Sequence, residues 1–237
     1  MADDLENVLK ELITQKPTEA GKVILKFASK NEQYRYIALE ILTQFKYAEL
    51  GLWLKNNWKI LGKDDWECIS REFFNLNFSW RDTGVLNAIS LNATNSIDPK
   101  SRHFCLVILV ETATLATSKA LLPRLDVESD EDCRRDLYRI LSRYKYSDFD
   151  TKIQKAIVDY NESYALNGMI ELSIKDFNRY DLLPDLYSLR SRLQKVTDVT
   201  KKSEAKETLE ILKQVIPYLE QKKAEKAPIG LPLDWGK

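Results

Sequence analysis

The chain has 237 residues, of which 44% are hydrophobic and 30% charged, and its 36 Lys and Arg side chains are balanced by 36 Asp and Glu side chains. This length and composition indicate a globular protein with one large domain or two small ones. Zero net charge argues against a protein that coats nucleic acid through bulk charge, and seven glycines leave little material for glycine-built loops.

The cysteines and the apolar segments give no sign of export or of a membrane span. Cys68, Cys105 and Cys133 are too widely spaced for a disulfide framework or a zinc site, and each falls in an apolar segment where we expect burial. The acidic N-terminus, MADDLENVLKEL, is not a secretory signal. The longest apolar run, 104–110, is far shorter than the roughly 20 residues that span a bilayer. We expect no membrane partner and a reducing compartment, nuclear or cytoplasmic.

Amphipathic helical segments follow one another in the first half of the chain. The first has apolar residues at helical spacing from Leu5 to Ile13 and ends before Pro17, because the residue before a proline avoids the helical region. In the second, Val23 is predicted to point inward with its apolar neighbours. The predicted helix starts are Asp3 or Asp4, Thr18, Asn31, Asp64 and Ser79, and the fourth helix is predicted to close at Gly62.

A strong helix-start signal lies near the middle of the chain. Asp98-Pro99 combines an N-cap residue with proline at the first helical position. The segment that follows is apolar nearly all round, and its valines and isoleucines leave a buried strand open as the alternative to a helix. We predict a central buried helix, because a strand without a partner would leave its backbone groups unsatisfied. Leu121-Leu122-Pro123 is predicted to break the chain.

Helical patterns continue through the second half. Ser129 is predicted to cap one helix, and Ser147 with Asp150 forms a capping pattern for the next. Gly168 marks either a helix end or a tolerated kink. The remaining predicted signals are a helix start after Pro184, a last helix from about Ser203, and a kink or stop at Pro217.

These patterns together predict an all-α chain of about ten antiparallel helices that pair every ~30–45 residues, the range of helical-repeat arrays. In this architecture the chain resembles armadillo- and HEAT-type scaffolds. The resemblance implies an α-solenoid-like array that presents surfaces to partners. An irregular helical bundle, such as the N-terminal domain of transcription elongation factors, would produce a similar pattern. We expect one helical domain over 1–222 and a flexible tail over 223–237.

Aromatic residues are densest between positions 53 and 80, where four of the five tryptophans lie. We expect Trp58, Trp66 and Phe73 to fill the seams between neighbouring helices. Trp53 and Trp80 fall off the main apolar stripes, so they are the candidates for an exposed cleft that binds a peptide or an unstacked base.

Three arginines, Arg135, Arg139 and Arg143, recur every fourth residue on one predicted helix face, and we call this row the arginine comb. The basic residues that extend it are Arg134, Lys145, Lys152 and Lys155. Guanidinium groups match phosphates or the carboxylates of an acidic peptide. The alternative is a solvated face balanced by the acidic residues of 128–132.

The last residues, 223–237, change in character from charged to apolar and proline-rich. Ile229, Leu231, Leu233 and Trp235 alternate with prolines and a glycine. This segment is predicted either to dock on its own chain or to bind another molecule as a short motif anchored by Trp235.

The sequence offers little for catalysis, and we predict no catalytic residue, no metal site and no cofactor. His103 is the only histidine, and none of the common nucleotide, hydrolase or zinc-protease motifs occurs. Some DNA glycosylases are built from HEAT-like repeats with a basic face and one carboxylate. The chain resembles them in architecture and in having Trp80 with Asp82 near Arg81, but no motif of that family aligns.

The predicted function is that of a non-enzymatic protein–protein interaction scaffold or adaptor subunit in a nuclear or cytosolic complex, binding a peptide or helix of a partner. The alternative is binding of RNA or single-stranded nucleic acid through the arginine comb, and a more distant one is a HEAT-like-repeat DNA glycosylase. Assembly of the chain into a homo-oligomer is compatible with each of these functions. The candidate contacts are Trp53, Trp80, Arg135, Arg139, Arg143, Lys145 and Trp235.

Overall fold

The computed structural model describes residues 2–75, 83–160, 163–197 and 199–226. Thirteen α-helices and no strand lie within these residues, which confirms the predicted all-α fold. The helices are α1 Ala2–Gln15, α2 Pro17–Lys30, α3 Arg35–Gln44, α4 Leu50–Asn57, α5 Lys63–Asn75, α6 Thr83–Asn95, α7 Pro99–Thr112, α8 Leu115–Leu125, α9 Glu131–Ser142, α10 Ser147–Asp159, α11 Ser163–Met169, α12 Leu183–Leu193 and α13 Val199–Lys226. None of these helices combines the length and the apolar character that a membrane crossing requires.

The chain divides into two compact units, Met1–Arg124 and Leu125–Lys237, which we call unit 1 and unit 2. This division was not predicted, because no linker rich in proline, glycine or serine separates the two units. The expected end of the helical region at residue 222 also differs from the structure, since α13 continues through Lys226. Residues 227–237, with Trp235, lie outside the described part of the chain.

Unit 1 consists of two rows of alternating helices. The odd-numbered helices α1, α3, α5 and α7 each contact the next member of their row, and so do the even-numbered α2, α4 and α6. Contacts of α1 with α2, of α2 with α3, and of α6 with α7 join the two rows. Alternating contacts of this kind are those of a helical array, in which each helix pair packs mainly against its neighbours.

Helix α7, in unit 1, is the buried helix that was predicted for the middle of the chain. Asp98 caps it by accepting hydrogen bonds from the backbone N–H groups of Lys100 and Ser101, and Pro99 occupies the first turn. Leu106 and Ile108 are completely buried. The helix ends at Thr112, and α8 starts afresh at Leu115 because the Thr114 Oγ1 atom accepts a hydrogen bond from Thr117 N. All three cysteines are buried thiols, as predicted for their apolar segments.

Unit 2 repeats the two-row pattern with shorter rows. Helices α9, α11 and α13 contact one another in succession, while α10 contacts α12. A π-helical segment, Ile170–Ile174, follows α11 directly. The irregular connection after it is held by Arg179, whose Nη2 atom lies 2.5 Å from Asp150 Oδ1 and 2.8 Å from Asp181 Oδ2. The same side chain donates to the carbonyl of Ser142, so one buried guanidinium fixes three segments of unit 2.

Two prolines lie inside helices, although a break was predicted at Pro123 and a kink or stop at Pro217. The chain does not break at Leu121-Leu122-Pro123, since α8 continues to Leu125 with Pro123 in its last turn. Helix α13 continues past Pro217 to Lys226. A proline removes a single backbone hydrogen bond. The buried residues on both sides of Pro217, Ile216 and Leu219, hold α13 against the rest of unit 2.

Two predicted caps in unit 2 were wrong because another side chain competes for the same atoms. Asp130, rather than Ser129, caps α9 and accepts a hydrogen bond from Cys133 N at 3.0 Å. The carboxylate of Asp150 pairs with Arg179 instead of completing a capping pattern with Ser147.

Three further differences fall in the first two helical hairpins. Lys16 occupies the N-cap position of α2, with Pro17 rather than Thr18 at its start. The Asn31 side chain donates to the carbonyl of Phe27 at the end of α2 instead of capping the next helix. Val23 is 57% exposed instead of buried. The predicted cap at Ser79 lies outside the described residues.

Candidate functional site

The arginine comb begins on α9, and its first member faces α11, the helix with which α9 packs most extensively. The aliphatic stem of Arg135 passes directly over Gly168 of α11, so that a Cβ atom added at Gly168 would lie 2.7 Å from Arg135 Cγ. The guanidinium of Arg135 sits 5.1 Å from the centre of the Tyr164 ring, and its Nη1 atom donates to Tyr164 Oη. The comb is therefore covered at its first member by a neighbouring helix.

Two carboxylates on α9 itself neutralise the first two arginines of the comb. Asp136 is completely buried, with its Oδ1 atom 3.4 Å from Arg135 Nε and 3.3 Å from Arg139 Nη1. Asp132 lies 3.2 Å from Arg135 Nη1. Only about a fifth of each of the two arginine side chains is exposed. The sequence suggested either a row that binds phosphates or a solvated face balanced by the acidic residues of 128–132. In the structure Asp132 does pair with Arg135, but the first two arginines are mostly covered.

The remaining members of the predicted basic surface have separate surroundings. The Arg143 guanidinium lies 5.5 Å from the centre of the Phe177 ring. Lys145 is exposed and lies near Asp181. Burial alone would raise the pKa of Asp181, but the hydrogen bonds and charge of Arg179, with a smaller contribution from Lys145, lower that pKa below its ordinary value. These residues consequently hold the irregular connection of unit 2 together.

A cleft of about 240 Å³ opens on unit 2 next to the comb. Helix α9 contributes Arg134 and Tyr138, and α10 contributes most of the opposite side. We call it the unit-2 cleft, and its lining residues are Leu125, Asp126, Arg134, Tyr138, Lys152, Lys155, Ala156, Asp159 and Leu166. Three basic and two acidic side chains surround a floor that includes the buried Tyr138 and Leu166.

The three basic side chains of the unit-2 cleft differ in how firmly they are held. The Nη1 atom of Arg134 donates to the carbonyls of Leu125 and Glu128, at 3.1 and 2.8 Å, so this guanidinium is fixed as part of the wall. Lys152 forms an ion pair with Asp126 at the exposed rim. Lys155 is exposed and has no hydrogen-bond or ion-pair partner among the described residues. Lys155 is therefore the basic group that a ligand can reach without displacing another contact.

The tryptophans that the sequence singled out do not join this cleft. Trp53 belongs to unit 1, where it is partly exposed and its Nε1 atom donates to Ser29 Oγ at 3.0 Å. Trp66 is completely buried, as expected, and Trp58 lies beside Lys59. Trp80 lies outside the described residues.

Sequence reasoning found the basic members of the unit-2 cleft but missed Tyr138 and Asp159. Tyr138 follows Arg134 by one helical turn, and this spacing signals that their side chains are neighbours. Asp159 follows Lys155 at the same spacing on α10. Their shared position at one cleft depends on the packing of α9 beside α10, which no local pattern encodes.

The part of the chain that the structure describes contains no cluster of His, Cys, Asp and Glu side chains arranged to hold a metal ion. No protein-family model, no curated protein and no solved structure matches the chain. The two-row packing of helices and the unit-2 cleft are therefore the observations from which a function can be inferred.

Proposed function

We propose that this chain is a non-enzymatic interaction scaffold, an adaptor subunit of a nuclear or cytosolic complex, and that its unit-2 cleft binds an acidic segment of a partner protein. The size of the cleft carries this proposal. At about 240 Å³ it is smaller than the ~300–1,000 Å³ typical of sites for small-molecule ligands and cofactors. A volume of this size suits one or two side chains of a docked peptide.

The charges around the cleft favour a carboxylate as the group that enters. Lys155 supplies an ammonium without a competing partner among the described residues. Lys152 is paired with Asp126 at a solvent-exposed rim, where ion pairs are worth about 0–1 kcal/mol, so an incoming carboxylate can replace Asp126 at little cost. The buried Tyr138 and Leu166 offer an apolar floor for the rest of the side chain.

The state of the arginine comb supports a protein partner over nucleic acid. Phosphate binding through the comb would require Arg135 and Arg139 to leave the buried carboxylate of Asp136. A carboxylate left unpaired in the interior is costly. RNA or single-stranded nucleic acid therefore stays the alternative, with the glycosylase a more distant one, and Trp53 stays a candidate contact in unit 1.

The test compares the wild-type chain with K155E and with K206E, a matched control. Lys206 is also exposed and in unit 2, but it lies on α13 and does not line the cleft. Tagged chains are recovered from the cells of origin after nuclease treatment, and retained proteins are identified by mass spectrometry. Peptides covering the acidic segments of those proteins are then titrated against each purified chain.

We expect an acidic peptide to bind the wild-type and K206E chains equally and K155E about tenfold more weakly or worse, because like charges would then face each other. The proposal is wrong if K155E binds every retained partner as the wild type does. Partners that all disappear with nuclease would instead favour the nucleic-acid alternative, and binding would then weaken steeply between low and physiological salt.

A further inference from the structure

Helix α1 carries a wider apolar stripe than unit 1 covers. Leu9 and Ile13 are buried against the rest of the unit. On the adjoining edge, Val8 is 60% exposed and Leu12 is 37% exposed. A helix whose outer face is left uncovered in a helical array normally keeps that face polar. The exposed edge of α1 is therefore a surface on which another helix can pack.

The exposed edge of α1 is bordered by acidic residues. The helix carries four acidic side chains and a single basic one, Lys10. Asp4 and Glu11 precede and follow Val8 by four and three residues, so they are its neighbours on the helix surface. Glu11 accepts a hydrogen bond from the neutral amide of Gln15 and has no ion-pair partner among the described residues.

The neighbouring helix α2 exposes an edge of opposite charge. Lys22, Lys26 and Lys30 are spaced four residues apart and all are exposed. None of the three has a hydrogen-bond or ion-pair partner among the described residues. Val23, 57% exposed, lies beside this row. Thus α2 presents an apolar residue bordered by lysines, the complement of what α1 presents.

We propose that a second copy of this chain covers both edges, with α1 of each copy packed against α2 of the other. A two-fold dimer uses the same patch on both copies, so a chain that exposes an acidic and a basic edge on adjacent helices satisfies both contacts at once. Val8, Leu12 and Val23 from each copy would form the apolar centre. The carboxylates of Asp4 and Glu11 would then face the lysines of the partner.

The spacing of the charges along the two helices fits this pairing. At a rise of about 1.5 Å per residue, Asp4 and Glu11 are separated by roughly 10.5 Å along α1, and Lys22 and Lys30 by roughly 12 Å along α2. Two carboxylates can therefore meet two ammonium groups in one register. The zero net charge of the chain also leaves no overall repulsion between copies.

Reciprocal charge reversal tests the dimer on the full chain. The variant K22E/K30E reverses the two lysines that this register pairs with the carboxylates, and D4K/E11K makes the α1 edge basic. Each variant alone places like charges in both contacts of a homodimer, whereas a mixture of the two variants restores opposite charges in both. Sedimentation equilibrium over a series of concentrations measures the mass of each sample, and far-UV circular dichroism verifies that each variant is folded.

We expect the wild type to reach twice the mass of one chain, each variant to need about tenfold higher concentration or more to do so, and the mixture to regain the wild-type behaviour. K206E, in unit 2, should dimerise as the wild type does. A folded wild-type chain that stays monomeric at every concentration would overturn the proposal, and so would a folded mixture that stays monomeric. The cleft proposal is independent of both results, because the cleft lies in unit 2.

Discussion

Arg135 and Gly168 form a contact that depends on the absence of a Cβ atom at position 168. The arginine stem occupies the space where any other residue at position 168 would carry its Cβ atom, at 2.7 Å from both Cγ and Cδ. The stem cannot move freely, because its guanidinium is tied to Asp132, Asp136 and Tyr164. Glycine at this position therefore serves close packing of α9 on α11. It also lies one residue before the end of α11, where the π-helical segment begins.

This contact predicts that the effect of G168A on the free energy of unfolding changes sign when Arg135 is replaced by alanine. In the wild-type background, G168A should lower the free energy of unfolding by about 1–3 kcal/mol through overpacking. In the R135A background the obstacle is gone, and alanine should raise the free energy of unfolding by up to ~1 kcal/mol through its higher helix propensity. Urea unfolding of the four proteins measures both effects. Equal effects of G168A in the two backgrounds would contradict the contact.

For the residues of the arginine comb, the sequence predicted the helix face on which they lie better than the contacts that they make. Spacing alone placed Arg135, Arg139 and Arg143 on one face, and the first two of them meet at Asp136. Spacing could not predict that Asp136 would be buried completely between two of them, since that burial comes from α11 lying across α9. The same packing converts a basic surface into a neutralised one.

The helix ends show when a local sequence signal predicts a cap correctly and when it does not. Asp98-Pro99 was identified correctly, because the cap and the proline act within one turn and no distant residue competes. Asp150 was assigned to a cap that it does not form, because Arg179, far along the chain, binds its carboxylate. Local signals thus predict an element well where tertiary partners do not claim the same atoms.

Adjacent residues at the start of α9 allow a matched test of capping. D130A removes the acceptor of Cys133 N and should lower the free energy of unfolding by about 1 kcal/mol. S129A should change it by a few tenths at most, because the hydrogen bond to Glu128 uses the backbone N–H of Ser129 and survives the substitution. Urea midpoints of the two variants measure the difference. A cost at Ser129 equal to that at Asp130 would place the cap one residue earlier.

The whole molecule consists of two units with separate cores, and it should unfold accordingly. Arg35 and Asp65 form a buried ion pair in unit 1, with side chains 6% and 7% exposed. D65A leaves the Arg35 charge unpaired and should cost about 3–5 kcal/mol. In calorimetry we expect two transitions, of which D65A lowers the temperature of one and D130A that of the other. A single transition that both substitutions shift would mean that the chain unfolds as one cooperative body.

The sequence predicted the fold class and the array at this scale, since amphipathic periodicity and short connections are properties of the whole chain. It did not predict the division near Arg124, because α8 runs through that point without any change in composition. The boundary between the two hydrophobic cores depends on which helices pack against each other. Helices that look alike in sequence can belong to different units.

The two-row packing has a consequence for how quickly the chain can fold. Within each unit, the main contacts join a helix to the next one along the chain or to the one after that. Contacts between residues close in sequence require little loop closure before they form, and proteins rich in them fold in microseconds to milliseconds. Each unit can therefore begin to fold from any pair of neighbouring helices and extend outward, so that synthesis on the ribosome can complete unit 1 before unit 2 has emerged.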